Sequence, residues 1–211
     1  MRVAVFGASG RIGRLVVKHA LEEGYAVNAC VRDPAKLPIE DESLSVITGG
    51  LRDTAAIEQT ISGCDAVICA LGVPLKFTYD SMDSLEGHRN IIKAMDKLGV
   101  SRLIDWATPS ARFSGDKRSV ITVVPGILAG LAFPKAKKEI VSICDAIRES
   151  DLQWTIVRFM APKDRPPTGA VKVGLGDTKM KFSISREDIA SFMVEQVESE
   201  TYLYSMPIIG S

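Results

Sequence analysis

The sequence carries no excess of charge of either sign, and it is poor in aromatic residues. Its 26 Lys and Arg residues balance 26 Asp and Glu residues, and Phe, Trp and Tyr together make up 6% of the chain. A protein that binds nucleic acid or an anionic membrane surface normally carries a basic patch or stripe. The balance of charges therefore predicts that neither nucleic acid nor a membrane is a partner.

Cysteine and histidine are also scarce, and they are not spaced as metal ligands. No C-x-x-C motif joins the four cysteines, which are Cys30, Cys64, Cys69 and Cys144. Three of them fall within apolar strand or helix patterns, so we expect reduced core thiols instead of disulfides or metal ligands. His19 and His88 have no partnered acid or cysteine in the sequence that would mark a metal site. Both are predicted to be core or helix-surface residues, and no metal is expected.

Long hydrophobic runs are absent too. The most apolar stretch, residues 119–133, is interrupted by Thr122 and Pro125 and is too short to span a bilayer comfortably. A strand pattern follows Met1 within two residues, which leaves no room for a signal peptide. We therefore expect a cytoplasmic, reducing location.

What the chain does have is a regular alternation of apolar strands with helical patterns. This alternation is typical of a parallel sheet with helices on both faces. We predict one α/β domain over residues 1–211: a Rossmann-type, doubly wound parallel sheet with a small irregular C-terminal substrate region. The predicted strands cover residues 3–6, 25–31, 44–48, 64–71, 102–107, 153–158 and 202–209.

Capping residues mark several helix ends. Asp53 and Ser185 each precede a helical pattern and are predicted N-caps. Asp188 stands where the capping box usually has Glu or Gln. Gly99 follows a helix predicted over residues 82–98 and is the expected C-cap.

Three glycines between the first strand and the first helix form the most informative motif. Gly7 allows a sharp turn off the strand, Gly10 leaves room for phosphates, and Gly13 allows the helix to pack close to the strand. Free N–H groups around residues 10–12 are expected to face an anion at the positive end of the helix. The pattern predicts a dinucleotide pyrophosphate site formed by Gly7, Ala8, Ser9, Gly10, Arg11, Ile12 and Gly13.

The end of the second strand indicates which dinucleotide is bound. An NAD site has Asp or Glu about twenty residues after the glycine turn, whereas this chain has Arg32. A guanidinium binds a 2′-phosphate through charge-assisted hydrogen bonds, and Arg11 could assist from the glycine loop. NADP(H) is therefore favoured over NAD(H). In the alternative interpretation Arg32 is solvated and Asp33 binds the ribose.

These residues resemble the atypical short-chain dehydrogenase/reductase group, and specifically its NmrA-like, NAD(P)H-binding branch. That branch includes proteins of the flavin reductase and biliverdin reductase B type. The resemblance implies that Leu51 flanks the adenine, that residues 70–72 line the cofactor, and that Phe159 lies near the nicotinamide. The cofactor-lining residues in the range 70–72 are Ala70, Leu71 and Gly72. The matching segments are residues 7–13, 31–33, 49–53, 69–72, 87–92 and 150–158.

The chain also departs from the pattern of that group. Gly50 stands in place of an Asp that contacts the adenine, and Phe159 in place of a Pro. Thr108 and the residue before it replace a pair of serines. The superfamily's Tyr-x-x-x-Lys motif aligns with Phe133 and Lys137, so the phenol that protonates a carbonyl is missing. Carbonyl reduction by the usual route is therefore not expected.

Hydride transfer to a flavin, a quinone or a similar conjugated acceptor needs no such tyrosine, because the main requirement is to hold two rings together. The candidate catalytic residues are Thr108, Ser110 and Lys137. Thr108 is also a predicted cofactor-binding residue, which would orient the nicotinamide carboxamide. Each has a structural alternative: the hydroxyls of Thr108 and Ser110 as strand-end caps, and Lys137 as part of a solvated helix face.

Two segments interrupt the alternation, residues 109–134 and residues 160–184. Residues 119–133 in the first are predicted to form an apolar wall or lid over the substrate, or a buried helix or self-association surface. A non-catalytic NADP(H) sensor that acts through a protein partner is therefore an alternative function. A sugar-nucleotide epimerase is disfavoured, because the second segment is short for a substrate lobe. Asp105, an acid within an apolar strand, is expected to pair with an arginine, Arg102 or Arg158.

Overall fold

The computed structural model describes residues 1–74, 76–117, 119, 124, 127–128 and 130–211. Strands and helices alternate through most of these residues. The strands are β1 (Arg2–Phe6), β2 (Ala26–Val31), β3 (Leu44–Thr48), β4 (Ala66–Cys69), β5 (Arg102–Ala107), β6 (Gln153–Arg158), β7 (Met160–Lys163), β8 (Lys172–Gly174), β9 (Ser183–Ser185) and β10 (Ile208–Gly210). The helices are α1 (Arg11–Glu22), α2 (Thr54–Ile61), α3 (Asp83–Leu98), α4 (Pro134–Arg148) and α5 (Arg186–Glu195), and a 3₁₀ turn covers Pro34–Lys36.

Eight strands form one sheet in the order β3-β2-β1-β4-β5-β6-β10-β8. Neighbouring strands from β3 to β10 are parallel, and β8 pairs antiparallel with β10 at the edge. The chain starts in the middle of the sheet and winds outward first on one side and then on the other. The predicted doubly wound, Rossmann-type α/β domain is confirmed, and its switch point lies between β1 and β4, where such folds bind ligands.

Apolar side chains bury both faces of this sheet. One core lies between the sheet and α2, α3 and α4, and includes Ile57, Ile91 and Ile143. The other lies between the sheet and α1 and α5, and includes Val16 and Ile189. Because both faces are covered, the central strands are apolar along most of their length, as the sequence pattern predicted.

The predicted helix caps form, with one difference. Asp53 accepts a hydrogen bond from the Ala56 N–H at 3.0 Å, and Ser185 accepts one from the Asp188 N–H at 2.9 Å. Gly99 ends α3 in the left-handed conformation, with φ +70°. The carboxylate of Asp188 does not complete a capping box, because it accepts hydrogen bonds from residues 168 and 169 instead.

Some predicted boundaries were wrong. The last strand begins at Ile208 instead of residue 202, because residues 201–204 form a turn in which Tyr204 has φ +55°. The fourth strand covers only Ala66–Cys69. Residues 160–184 are less irregular than expected, since β7 pairs with β9 and β8 extends the main sheet.

The segment after β5 is only partly described. Its first turn is fixed by Arg158, which is fully buried and binds Asp116 through both guanidinium nitrogens, with Nη1–Oδ2 at 2.8 Å. The same guanidinium donates to the carbonyl oxygens of Ala111 and Met206. Most of residues 118–126 lie outside the described residues, so the predicted structure of 119–133 is only partly observed.

None of the described helices is long and apolar enough to cross a membrane.

Candidate nucleotide-binding site

The turn between β1 and α1 has no room for side chains at two of its glycines. Gly7 has φ +76°, and a Cβ there would lie 2.6 Å from the carbonyl oxygen of Ala70. A Cβ on Gly13 would lie 2.1 Å from the carbonyl oxygen of Gly7. Contacts this short are not tolerated, so both positions require glycine, and α1 starts close against the end of β1.

Helix α1 begins directly after this turn and presents its positive end there. Arg14 donates the first helical hydrogen bond to the Gly10 carbonyl at 3.0 Å, so the N–H groups of residues 11–13 have no acceptor within the helix. The N–H of Gly10 is not among these groups, contrary to expectation, because it donates to the Gly7 carbonyl at 2.9 Å. The remaining N–H groups make this end a suitable place for an anion.

A cleft of about 600 Å³ opens at the carboxyl ends of β1, β2 and β4. The loop after β3 and the start of α3 complete its walls. The predicted cofactor-binding residues that line it are Gly7, Ser9, Gly10, Arg32, Leu51, Ala70, Leu71 and Gly72. Sequence reasoning missed further lining residues, among them Cys30, Pro74, Ser81 and Ser84, because no motif marks them.

The remaining predicted cofactor residues lie elsewhere. Ala8 and Gly13 are buried, and Ile12 packs against the core beneath α1. The exposed Arg11 lies 3.4 Å from Asp164, in a second surface cleft that Arg186 also lines. The structure therefore does not bring the guanidinium of Arg11 to the cleft that Arg32 lines.

Arg32 and Asp33 occupy different environments at the end of β2. The exposed Arg32 lines the cleft and has neither a hydrogen bond nor an ion pair within the described part of the chain. Asp33 caps the 3₁₀ turn, where it accepts from the Ala35 N–H at 3.2 Å, and it lies 3.8 Å from Lys36 Nζ. The guanidinium is thus available to a ligand, while the carboxylate is already engaged.

Helix α3 positions Leu51 at the cleft. Asn90 Nδ2 donates to the Leu51 carbonyl at 2.9 Å, and a Cβ on Gly87 would lie 2.8 Å from the Leu51 side chain. The segment from residue 87 to residue 92, which carried part of the family resemblance, therefore has a structural role in holding this loop.

Two stacked aromatic rings lie next to Leu71, which lines the cleft. The indole N–H of Trp106 donates to the Leu71 carbonyl at 2.9 Å, and its ring stacks on Phe159 with centroids 5.3 Å apart. Phe159 is 3% exposed and does not line the cleft. A contact between Phe159 and the nicotinamide stays a prediction.

The three candidate catalytic residues lie near one another after β5. The Thr108 and Ser110 hydroxyl oxygens are 2.6 Å apart. Ser110 and Lys137 line a small pocket of about 330 Å³, together with Ile127 and Val141. The arrangement could hold a small polar group of a substrate, and the catalytic roles themselves stay predictions.

The structure brings a tyrosine toward this region that sequence reasoning did not consider. Phe133, which replaces the tyrosine of the superfamily motif, precedes α4 and is exposed. The Tyr79 hydroxyl donates to the Glu139 carboxylate, and Lys135 Nζ lies 4.8 Å from the centre of the tyrosine ring. Burial, followed by the hydrogen bond and charge of Glu139, raises the pKa of Tyr79 above its usual value. The Tyr79 hydroxyl already donates to Glu139 and is a weaker acid than a free phenol, so Tyr79 is a poor replacement for the superfamily acid.

Glu139 has a further structural role that the sequence did not reveal. Its fully buried carboxylate accepts hydrogen bonds from the Ser84 N–H at 3.0 Å and the Leu85 N–H at 3.1 Å. These groups begin α3, where a negative charge is favourable. Glu139 thus fixes the end of α3 that forms one wall of the cleft.

A buried cluster lies beneath the cleft and corrects the prediction for Asp105. Asp105 pairs with neither Arg102 nor Arg158, because its Oδ2 lies 3.0 Å from His88 Nε2. Cys69, which ends β4, belongs to the same cluster. Burial raises the pKa of the Cys69 thiol to about 11. Burial lowers the pKa of His88, but the Asp105 carboxylate raises it more, so the net pKa of His88 is well above its usual value.

Comparison with known proteins identifies the family. The profile of the NAD(P)H-binding family matches residues 7–200, which include the glycine turn and the strands from β2 to β9. The chain belongs to the NAD(P)H-binding family. This membership confirms the resemblance to atypical short-chain dehydrogenases/reductases on which the sequence interpretation rested.

Two curated relatives show how far sequence similarity extends. An uncharacterised chloroplast protein of Arabidopsis thaliana is 31% identical over 207 residues, which cover 94% of this chain and 72% of that protein. Cinnamoyl-CoA reductase 1 of Oryza sativa is 34% identical over 126 residues, 56% of this chain. The match spans only 37% of the rice enzyme, so its similarity is restricted to part of the protein.

Solved structures share the whole fold. An NADP complex of a short-chain dehydrogenase/reductase from Veillonella parvula superposes with a TM-score of 0.79 at 19% identity, covering 100% of this chain and 94% of that one. ChuY, an anaerobillin reductase from Escherichia coli O157:H7, superposes with a TM-score of 0.78 at 20% identity, covering 100% of this chain and 97% of that one. At 19% and 20% sequence identity, these superpositions show only that the fold is shared.

Proposed function

We propose that this member of the NAD(P)H-binding family is an NADPH-dependent oxidoreductase that reduces a flavin, a quinone or a similar conjugated acceptor. When bound, NADPH supplies the hydride for that reduction. The observation that carries the proposal is the Arg32 guanidinium, which has no partner among the described residues and lines a cleft that opens at the switch point of the sheet. Reductases among proteins of the same fold support the reaction class.

The glycine turn fits a pyrophosphate. Close backbone contacts at Gly7 and Gly13 keep the turn tight. Gly10, which lines the cleft, has no Cβ, so the main chain can approach a ligand closely there. The N–H groups of residues 11–13 provide hydrogen-bond donors at the positive end of α1. We assign the phosphates to this turn and the adenine to the side of the cleft formed by Leu51.

Arg32 supports the choice of NADP(H) over NAD(H). A 2′-phosphate needs a cation, and a guanidinium provides parallel donors for its oxygens. The alternative, in which Asp33 binds the ribose, is disfavoured because Asp33 caps the 3₁₀ turn. The NADP complex of the Veillonella parvula protein shows that this fold accommodates the phosphorylated dinucleotide.

The residues after β5 are suited to positioning an acceptor more than to protonating a carbonyl. Phe133 has no proton to donate, and Tyr79 is bound to Glu139. The hydroxyl pair formed by Thr108 and Ser110 can orient a carbonyl or amide group of an acceptor. Lys137, at the same pocket, can bind an anionic group or a hydroxyl.

Steady-state oxidation of NADPH and NADH, with a panel of free flavins and quinones, tests the proposal. We expect turnover with at least one acceptor and a higher kcat/KM for NADPH. Turnover of simple aldehydes or ketones, with none of flavins or quinones, would replace the proposed acceptor class with carbonyl compounds.

A second function is favoured by one specific observation. Ile127, Leu128, Leu131 and Phe133 are between 39% and 72% exposed, which is unusual for apolar side chains within a short segment. In this alternative the chain is an NADP(H)-binding sensor, and the segment 119–133 contacts a protein partner or a second copy of the chain. Tight NADPH binding without turnover of any acceptor, together with a nucleotide-dependent change in molecular mass, would favour the sensor.

The cytoplasmic location also belongs to this proposal. All four cysteines are free and buried, which suits a reducing compartment. Fractionation of the native cells tests it.

A further inference from the structure

Three side chains from different elements meet beneath the nucleotide cleft. Cys69 ends β4, Asp105 lies on the adjacent strand β5, and His88 lies on α3 above them. One sulfur, one nitrogen and one oxygen atom from these residues all lie within 4.8 Å of one another. None of the three residues is more than 2% exposed.

Hydrogen bonds orient two of these side chains toward a common point. His88 Nδ1 lies 2.6 Å from the Ser84 carbonyl oxygen, which can only accept, so Nδ1 carries a proton. Asp105 Oδ1 accepts from the Trp106 N–H at 2.6 Å. The two atoms left over, His88 Nε2 and Asp105 Oδ2, face each other at 3.0 Å, and neither has a hydrogen-bond partner in the described part of the chain.

In this buried site a proton or a metal ion must lie between these two atoms. With Nδ1 protonated, a neutral imidazole directs the lone pair of Nε2 at a carboxylate oxygen, and the two repel each other. A proton on Nε2 would convert the contact into an ion pair, which uses two of the three donors. A divalent metal ion would bind all three donors, because thiolate, imidazole and carboxylate are the ligands that zinc takes in proteins.

The surroundings match those of known metal sites. A histidine that binds a metal usually donates its other N–H to a carbonyl or carboxylate, and a metal-binding carboxylate usually accepts a further hydrogen bond. His88 and Asp105 have these partners in Ser84 and Trp106.

We propose that Cys69, His88 and Asp105 bind one divalent metal ion of the zinc type. The metal would join β4, β5 and α3 directly below Ala70 and Leu71, and so would stabilise the cleft floor. This site is separate from the nucleotide cleft and does not depend on the proposed reaction. The sequence did not predict it, because its ligands come from three distant segments.

The test is metal analysis of the full chain, produced without a polyhistidine tag. The site is buried, so the metal must be available during folding; one culture therefore contains added zinc and a parallel culture contains added cobalt. Elemental analysis of the zinc protein should find about one metal ion per chain after dialysis against a weak chelator. The cobalt protein should show visible d–d bands of a tetrahedral site and a near-ultraviolet thiolate-to-cobalt charge-transfer band.

Two cysteine variants test whether Cys69 binds the metal. Cys69→Ser should lose the charge-transfer band and most of the bound metal. Cys144→Ser removes another buried thiol of the same core, and it should keep both. Metal-free wild-type protein from both cultures would overturn the proposal and leave a buried His88–Asp105 ion pair. An unchanged cobalt spectrum in Cys69→Ser would overturn it as well. The wild-type measurements decide the question even if Cys69→Ser does not fold.

Discussion

Arg158 and Asp116 form a buried ion pair that fastens the segment after β5 to the core. Arg158 is completely buried at the end of β6, and its guanidinium binds the Asp116 carboxylate through two nitrogens. Asp116 also accepts from the Phe113 N–H at 2.9 Å. This pair therefore holds the turn that follows Thr108 and Ser110, the candidate substrate-binding hydroxyls.

The first prediction concerns this pair. Asp116→Ala leaves the Arg158 charge buried without its acid, and removing one member of a buried pair costs about 3–5 kcal/mol. We expect a loss of this size in the free energy of unfolding, measured by urea denaturation. The control Asp145→Ala removes an exposed partner of Arg148 and should cost less than about 1 kcal/mol. Equal costs for both variants would contradict the role given to Arg158.

The second prediction concerns the choice of dinucleotide. Arg32→Gln removes the only free charge assigned to the 2′-phosphate, and a charge-assisted hydrogen bond contributes about 1.5–3 kcal/mol. The Kd for NADPH, measured by isothermal titration calorimetry, should rise about ten- to a hundredfold, whereas the Kd for NADH should change little. Arg148→Gln, on the surface of α4, is the matched control and should leave both values unchanged. An equal loss of NADPH and NADH binding in Arg32→Gln would indicate a different role for this residue.

The third prediction tests the glycine turn. An added methyl group at Gly13 would lie 2.1 Å from the Gly7 carbonyl oxygen, so Gly13→Ala must displace α1 from β1. We expect a lower melting temperature and a loss of NADPH binding, and calorimetry measures both. Gly50→Ala places its methyl group in open space, and it should keep the melting temperature of the wild-type protein. A Gly13→Ala protein with wild-type stability and affinity would show that the close approach at this turn is unimportant.

The fourth prediction concerns Tyr79. If Tyr79 supplied the proton for catalysis, Tyr79→Phe would abolish turnover. Because its hydroxyl donates to the buried Glu139 carboxylate, we expect instead a loss of stability of about 1.5–3 kcal/mol and a kcat close to that of the wild-type protein. Both are measured on the same preparation, by urea denaturation and with the best acceptor from the panel. A kcat that falls by several orders of magnitude would identify Tyr79 as the missing acid.

The fifth prediction concerns stability in acid. Burial raises the pKa of Asp188, but hydrogen bonds from Ser185, Thr168 and Gly169 lower it more, so the net pKa lies below the usual value. A lowered folded-state pKa contributes stability that is present above the unfolded value of about 3.9 and is lost as the pH falls through the folded value. In Asp188→Asn this part of the acid-induced loss of stability should be absent.

Urea denaturation at neutral pH and at a series of acidic pH values measures that difference. Asp188→Asn should be less stable than the wild-type protein at neutral pH, and the two should converge in acid. Asp96→Asn, an exposed aspartate of α3, is the control and should follow the wild-type curve. A constant difference between Asp188→Asn and the wild-type protein at all pH values would contradict the prediction.

The fold could be predicted because its signals are local. The apolar strands, the caps at Asp53 and Ser185 and the spacing of Gly7 and Gly13 are all properties of short segments, and each has one structural solution. Three strands between residues 160 and 185 were missed, since each has only three or four residues and their pairing partners are distant.

The site could be predicted only in part, for the same reason. Residues that belong to a motif, such as Arg32 and Leu51, do line the cleft. The partners of Asp105, Arg158 and Glu139 depend on which segments the sheet brings together, and sequence separation gives no information on that. Asp105 was therefore assigned to the wrong partner, although its burial in a strand correctly indicated that it needed one.

The most direct test of the central claim is an anaerobic stopped-flow experiment with NADPH and the best flavin or quinone acceptor. The account predicts that NADPH absorbance and acceptor absorbance decline together at the same rate. It also predicts that this rate falls when the transferred hydrogen of NADPH is replaced by deuterium. Tight NADPH binding with no absorbance change for any acceptor would contradict the account and leave the chain as an NADPH-binding protein without this activity.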